Sequence, residues 1–260
     1  MRLFRLLGAT FSLALRRSFA HRVNFVFDVA QSVIGIVTAL LTTLAVYHQT
    51  SSLAGWSRAQ ALVLIGIFAV VSGVRAALIE PSLSRFVGTI RDGTLDEVLL
   101  RPAPTWFSVT CREQTPLALG QTLLGLGILI TGVAGLPYRP GPAAILVAVV
   151  LIGCAVALSW AFSLVVASLG FWAGRFELAP LTASLWDVGR YPAGVYGRSL
   201  QTVLTYVIPL AGMITLPAQA LTGHDPVTSL VAGVSLTVGL VALALLLFRR
   251  GLRRYTGATS

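Results

Sequence analysis

Six long apolar segments constrain the fold of this chain more than any other feature. They are Phe25–Val46, Ala59–Ile79, Leu117–Leu136, Ala143–Ser168, Leu200–Leu221 and Val227–Phe248. A helix needs about 20 apolar residues to cross the hydrocarbon core of a bilayer. Charged residues make up 11% of the chain, against roughly 25% in an average soluble domain. The sequence therefore predicts an all-α integral membrane protein whose six transmembrane helices occupy residues 24–248.

The residues before and after this region differ in character from the spans. Residues 1–23 carry apolar side chains at helical spacing, at Leu3, Leu6, Leu7, Phe11, Ala14, Leu15 and Phe19. Several Arg residues follow without a small-residue cleavage site, which argues against a signal peptide. We expect an amphipathic helix in the membrane interface, and a helical extension of the first span is the alternative. Residues 249–260 form a basic tail.

The arginine residues predict the orientation in the membrane. The chain has 19 basic residues, and all of them are Arg. If the N-terminus is inside, sixteen of these Arg residues lie on the cytoplasmic side. Only Arg58 and Arg139 lie outside, and Arg75 lies within the second span. Cytoplasmic segments of membrane proteins carry this excess of positive charge. We therefore expect a multi-pass protein of the inner (plasma) membrane with both termini in the cytoplasm.

The two inner loops are the longest connections, at residues 80–116 and 169–199, and loops of this length usually carry function. The first contains Asp92 and Gly93, which are typical of a turn. Thr94 and Glu97 have the spacing of a helix-capping box, and Pro102 ends the short amphipathic helix that follows. This pattern predicts a helix that docks on a soluble partner, with Leu95, Val98 and Leu99 as its apolar face. The alternative is a helix lying on lipid.

Polar and helix-breaking residues within the spans are few. Asp28 and Arg75 lie near the inner ends of their spans, where a salt bridge or a headgroup contact is the expected role. Pro209 and Pro217 predict either a kinked helix or a re-entrant segment in the fifth span. The third span is rich in glycine, which favours close helix packing over a substrate path; these residues are Gly120, Gly125, Gly127, Gly132 and Gly135.

Several chemistries are excluded or disfavoured by composition. Without lysine, the chain has no P-loop lysine and no Schiff-base lysine. Cys111 and Cys154 match no metal or redox spacing, and we expect no disulfide between them. The Arg residues flank apolar runs, which is the pattern of a membrane protein rather than of a nucleic-acid-binding protein. We expect no catalytic residue, no metal and no cofactor in this chain.

The segment GTLDEVLLRP at Gly93–Pro102 resembles the stretch after the second span in permeases of type-2 ABC transporters, in particular a subgroup of about 260 residues found in multidrug or uncharacterised export systems. A second matching segment is Arg190-Tyr191-Pro192, followed by Ile208-Pro209-Leu210 and Leu216-Pro217-Ala218. The resemblance covers the whole chain in the number and order of its spans. Members often have an acidic and basic pair in the second inner loop, where this chain has Arg175, Phe176 and Glu177.

The resemblance implies a permease that exports an amphipathic substrate by alternating access. A separate ABC ATPase would bind ATP and Mg, and a second permease, identical or related, would complete the transporter. The docking residues expected from it are Arg91, Asp92, Gly93, Thr94, Leu95, Asp96, Glu97, Val98, Leu99 and Arg101, with secondary contacts from Arg175, Phe176, Glu177 and Arg190. Membrane lipid is the other expected partner, and nucleic acid is not expected. The alternatives are a secondary carrier and a membrane anchor or scaffold for a cytoplasmic protein.

Overall fold

The computed structural model describes residues 8, 10–16, 22–100, 104–173, 186, 188–189, 197, 202, 209–223 and 225–255. These residues form an all-helical bundle. Its helices are α1 (Arg22–Gln49), α2 (Arg58–Leu78), α3 (Glu80–Arg91), α4 (Asp96–Leu99), α5 (Thr105–Thr110), α6 (Leu119–Ala134), α7 (Pro142–Ala173), α8 (Leu210–Leu221) and α9 (Pro226–Arg254). A 3₁₀ turn, Pro116–Ala118, precedes α6.

Among the described residues, four segments are long and apolar enough to cross a membrane, and α1 adds a shorter apolar stretch at Val33–Gln49. The four are Arg58–Leu78, Pro116–Ala134, Pro142–Trp172 and Pro226–Arg254. They match the second, third, fourth and sixth predicted spans to within a few residues. The helices α7 and α9 both begin at a proline, which the first turn of a helix accommodates because its N–H groups have no helical acceptor.

The fifth predicted span is described at residue 202 and continuously from Pro209 onward. Pro209 precedes α8 as its N-cap, so it begins this helix rather than bending it, while Pro217 lies inside the helix. With 12 residues, α8 is about 18 Å long at 1.5 Å per residue, which is too short to cross a bilayer alone. In the first part of the predicted span, residues 200–201 and 203–208 lie outside the described residues.

The helix α2 is the centre of the bundle and packs most closely against α6. Glycines set the spacing of this pair: a Cβ at Gly125 would lie 2.6 Å from the Val70 nitrogen, and one at Gly66 would lie 2.6 Å from the Leu129 nitrogen. Gly73 and Gly132 make equivalent approaches to the backbone of the facing helix. Because the glycines on each helix are seven residues apart, they recur on one face. We call these four residues the glycine seam.

The glycine seam confirms part of the packing prediction for the third span. Gly125 and Gly132 pack against α2, and Gly135 makes an ordinary contact with Ala59. Gly120 and Gly127 have open space where a side chain would be, so tight packing is not the reason for glycine at these two positions.

Apart from the core of the bundle, an apolar cluster lies at the end of the bundle where α2, α7 and α9 end. Its buried members are Ile79, Leu83, Phe86, Leu95, Val98, Val109, Ala161, Leu164, Ala167, Ala244 and Phe248, and we call it the cap cluster. The Phe86 ring lies 5.8 Å from the rings of both Phe171 and Phe248. The cluster therefore joins α3, α4 and α5 to the ends of the long helices.

At the two ends of the chain, the structure differs in part from the sequence-based predictions. Residues 10–16 are helical, and the Gln114 side-chain nitrogen lies 3.5 Å from the Thr10 hydroxyl. Of the predicted interfacial helix over 1–23, residue 8 is also helical and residues 22–23 belong to α1, while residues 1–7, 9 and 17–21 lie outside the described residues. At the other end, α9 continues to Arg254. Residues 249–254 are thus helical, and they belong to the last long helix rather than to a separate tail.

Candidate functional site

The turn between α3 and α4 projects from the cap cluster and carries the first group of predicted docking residues. Asp92 is the C-cap of α3, and Gly93 follows with φ of +69°. The Thr94 N–H donates to the Thr89 carbonyl at 3.1 Å, and the Gly93 N–H donates to the Ile90 carbonyl at 3.4 Å. This pair of bonds is the Schellman ending of a helix, which requires a left-handed residue and so favours glycine.

The Schellman ending explains why the predicted capping box is not formed. The Thr94 backbone is already used to close α3, and α4 begins two residues later with Leu95 as its N-cap and no side-chain cap. The predicted helix over 94–101 is therefore reduced to the single turn Asp96–Leu99. The expected turn at Gly93 is confirmed, but it ends one helix rather than introducing the next.

The predicted apolar docking face points into the protein. Leu95 is fully buried and Val98 is 4% exposed, both in the cap cluster. The Leu95 N–H donates to the Tyr255 hydroxyl oxygen at 3.3 Å, which fastens α4 to the end of α9. The sequence-based expectation that Leu95 and Val98 enter a groove on a partner is wrong, because helices of this same chain already cover them.

The exposed residues around the turn are a different set. Arg91, Asp92 and Thr94 are exposed, and Leu100 is 86% exposed just beyond α4. Arg91 Nε lies 3.4 Å from the Asp92 carboxylate. We call these four residues the tip. Sequence reasoning passed over Leu100, although an exposed leucine at the edge of a short helix is the residue that an external partner could cover.

The remaining docking candidates are only partly placed. Asp96 is half-buried at the start of α4, and Glu97 and Leu99 lie in the same turn, their side chains being outside the described part. Arg101 also lies outside the described residues. So do all the secondary candidates, Arg175, Phe176, Glu177 and Arg190.

The segment after α5 is tied firmly to the junction of α2 and α3. The Ser82 hydroxyl donates to the Glu113 carbonyl at 2.7 Å and accepts from the Glu113 N–H at 2.9 Å. The Arg85 guanidinium pairs with the Glu113 carboxylate, and the Thr115 hydroxyl donates to the Ala76 carbonyl at 2.7 Å. These bonds join the segment before the tip to the segment after α5 and so fix their relative positions.

Of the two predicted intramembrane charges, Arg75 has a clear role. Its side chain is buried near the end of α2 and lies 3.5 Å from the Glu80 carboxylate. The guanidinium carbon also lies 4.5 Å from the centre of the Trp186 ring, a cation–π arrangement. Of the two expected roles, a salt bridge and a headgroup contact, the Arg75–Glu80 contact corresponds to the salt bridge. Asp28 lies in the second turn of α1, and its side chain is outside the described part.

Trp186 is an important residue that sequence reasoning missed. It falls within the predicted inner loop 169–199, yet it is buried in the bundle core. Its indole N–H donates to the Ser72 hydroxyl at 2.8 Å, and its ring lies 6.1 Å from the Phe68 ring. A tryptophan beside a polar turn-rich sequence was the available signal, since Trp is rarely left fully exposed.

Local surroundings shift the pKa values of two groups outside the long helices. At the start of α9, the Asp225 carboxylate accepts from the Thr228 hydroxyl and from the backbone N–H groups of Val227 and Thr228, which lowers its pKa. After α5, burial raises the pKa of the Cys111 thiol. Both Cys111 and Cys154 are free thiols, as expected.

The comparison with known families decides which class of membrane protein this is. The family model described as ABC-2 family transporter protein matches residues 33–259. The chain belongs to the ABC-2 transporter family. The match covers most of the chain and confirms the resemblance to a permease of about 260 residues. No curated protein and no solved structure matches the chain significantly.

Membership in the ABC-2 family makes this chain the multi-pass membrane component, or permease, of an ABC transporter. An ABC ATPase is the general partner of such a component. The spans, the cap cluster and the tip can therefore be interpreted as parts of a transporter. Within the described residues, no group of three or more His, Cys, Asp and Glu side chains is arranged to hold a metal ion.

Proposed function

We propose that this chain is the permease subunit of an exporter that moves an amphipathic substrate outward, driven by separate cytoplasmic ABC ATPase subunits. The family match supports the permease role, and the lack of lysine in the sequence means that the chain has no P-loop of its own. ATP and Mg would bind on the ATPase. Transport would proceed by alternating access between this permease and a second copy or a related permease.

The tip is the observation that carries the ATPase-docking part of the proposal. It combines exposed side chains of both charge signs with the exposed Leu100, on a turn that the cap cluster holds from behind. A surface that is fixed before binding loses little conformational entropy when a partner docks. The ATPase would contact Arg91, Asp92, Thr94 and Leu100, while Leu95 and Val98 support them from inside.

A charge added at the tip should weaken ATPase binding. We expect Thr94→Arg to reduce the amount of ATPase that copurifies with the permease, because a bulky cation would enter the contact and change its charge balance. The matched control is Ser52→Arg, which adds the same side chain at an exposed position in the connection between α1 and α2. The measurement is affinity capture of co-expressed subunits, followed by substrate-stimulated ATP hydrolysis.

Either of two results would count against ATPase docking at the tip. One is equal ATPase capture by the two variants. The other is substrate transport that persists without any ATPase and stops when the proton gradient is dissipated, which would indicate a secondary carrier. Capture of a different cytoplasmic enzyme in place of an ATPase would indicate an anchor or scaffold.

The orientation proposed here places the tip and both termini in the cytoplasm, on the strength of the arginine asymmetry. In a variant lacking the native cysteines, single cysteines at Ser51 and Arg139 should react with a membrane-impermeant maleimide in intact cells. A cysteine at Arg250 should react only after the membrane is opened. Labelling of Arg250 in intact cells would reverse the assigned topology.

A further inference from the structure

A groove between α5, α7 and α9 lies beside the cap cluster and has no role in the permease proposal above. Its volume is about 480 Å³, within the range of roughly 300–1,000 Å³ that is usual for small-molecule sites. Its lining includes Trp106, Trp160, Leu245, Phe248, Arg249 and Leu252. The lining is thus mostly apolar and aromatic, and Arg249 is the cationic residue among those that line the groove.

Measured from the first residues of α7 and α9, the groove lies about one hydrocarbon thickness along the bundle. Trp160 lies 18 residues after the start of α7, about 27 Å along the helix, and Arg249 lies about 34 Å along α9, at 1.5 Å per residue. The hydrocarbon core is about 30 Å thick. Tryptophan is enriched at the boundary between hydrocarbon and headgroups, which fits Trp160 on the apolar side and the 42% exposed Trp106.

The charge around the groove is unbalanced. Arg249 is exposed, and in the portion of the chain that the structure covers no acidic side chain forms an ion pair with it. Arg250, Arg253 and Arg254 follow on the same helix and are also exposed. A guanidinium group binds a phosphate through paired N–H donors, and basic pockets between membrane helices bind anionic lipid headgroups.

We propose that this groove binds an anionic phospholipid of the cytoplasmic leaflet. The Arg249 guanidinium binds the headgroup phosphate, and an acyl chain lies along Leu245, Phe248 and Trp160. The inference rests on the orientation proposed above, which puts this end of the bundle at the cytoplasmic leaflet. A neutral amphiphile fits it less well, because nothing in such a ligand would pair with Arg249.

The test is native mass spectrometry of the purified permease in detergent with dioleoyl phosphatidylglycerol or dioleoyl phosphatidylcholine. We expect the wild-type protein to retain phosphatidylglycerol preferentially. Arg249→Gln should weaken this retention about tenfold, because the hydrogen bonds from the guanidinium to the charged headgroup phosphate are lost. Arg249→Lys should keep only part of it, because the charge remains but the paired N–H donors are lost.

Arg250→Gln is the matched control, since it removes the same charge from the next residue, which is not among those lining the groove. Equal loss in the Arg249→Gln and Arg250→Gln variants would overturn the proposal, as would equal retention of the two lipids by the wild-type protein. A thermal melt of each variant shows whether it is folded. Because no ATPase is present in this measurement, its failure would leave the result of the Thr94→Arg capture unaffected.

Discussion

Replacing Gly125 with Ala is expected to force α2 and α6 apart and to destabilise the whole bundle. The added Cβ would lie 2.6 Å from the Val70 nitrogen and 2.9 Å from the Ala69 carbonyl carbon. These are backbone atoms, so no side-chain rotation can relieve the contact. Overpacking of this kind costs about 1–3 kcal/mol, and the cost is at the upper end when a backbone must move.

Gly127→Ala is the matched control for this prediction. It lies on the same helix two residues away, and no atom is within 4 Å of the position that its Cβ would take. Alanine also favours a helix over glycine by roughly 0.5–1 kcal/mol, so this variant should be at least as stable as the wild-type protein. The measurement is the temperature at which each variant loses its monodisperse peak in size-exclusion chromatography. Equal melting of the two variants would show that the glycine seam does not set the helix spacing.

Leu95→Ala should destabilise the cap cluster, whereas Leu100→Ala should leave the permease stable. Leu95 is fully buried, and removing a buried leucine side chain typically costs about 2–5 kcal/mol. Leu100 is 86% exposed, and a surface substitution changes stability by about 0.5 kcal/mol or less. The melting measurement described for Gly125 distinguishes the two.

The same two variants test where the ATPase binds. We expect Leu100→Ala to lower ATPase capture at unchanged melting temperature, because it removes an exposed contact. A Leu95→Ala protein that melts like the wild type but loses the ATPase would restore the sequence-based hypothesis that Leu95 faces the partner. The two variants therefore distinguish Leu95, which supports the tip from inside, from Leu100, which is part of the tip.

The long spans could be predicted from the sequence because their information is local. An apolar run ends where the chain leaves the membrane, so α2 and α6 begin and end close to the predicted limits. The predicted limits were too short for α7 and α9, which continue to Ala173 and Arg254. The residues added to α9, 249–254, include four Arg, and hydropathy does not assign such residues to a span although helical hydrogen bonding continues through them. The residues added to α7, 169–173, are apolar, so there the predicted limit was simply set too early.

The sequence could not predict which surface the apolar face of the short helix α4 packs against. A stripe formed by Leu95 and Val98 is equally suited to a partner protein, to lipid or to the chain's own helices. The choice depends on cap-cluster residues that are distant in sequence, such as Leu164 and Phe248. The same holds for Trp186, whose acceptor Ser72 is 114 residues away. Such contacts are fixed by tertiary packing, which a local pattern does not encode.

The bond between Leu95 and Tyr255 has a mechanical consequence. Tyr255 directly follows α9, and its ring also lies 6.4 Å from the ring of Phe171 on α7. The tip is therefore linked through α4 and Tyr255 to the ends of α7 and α9. We expect a displacement of the tip to be passed to these two long helices before it reaches the rest of the bundle.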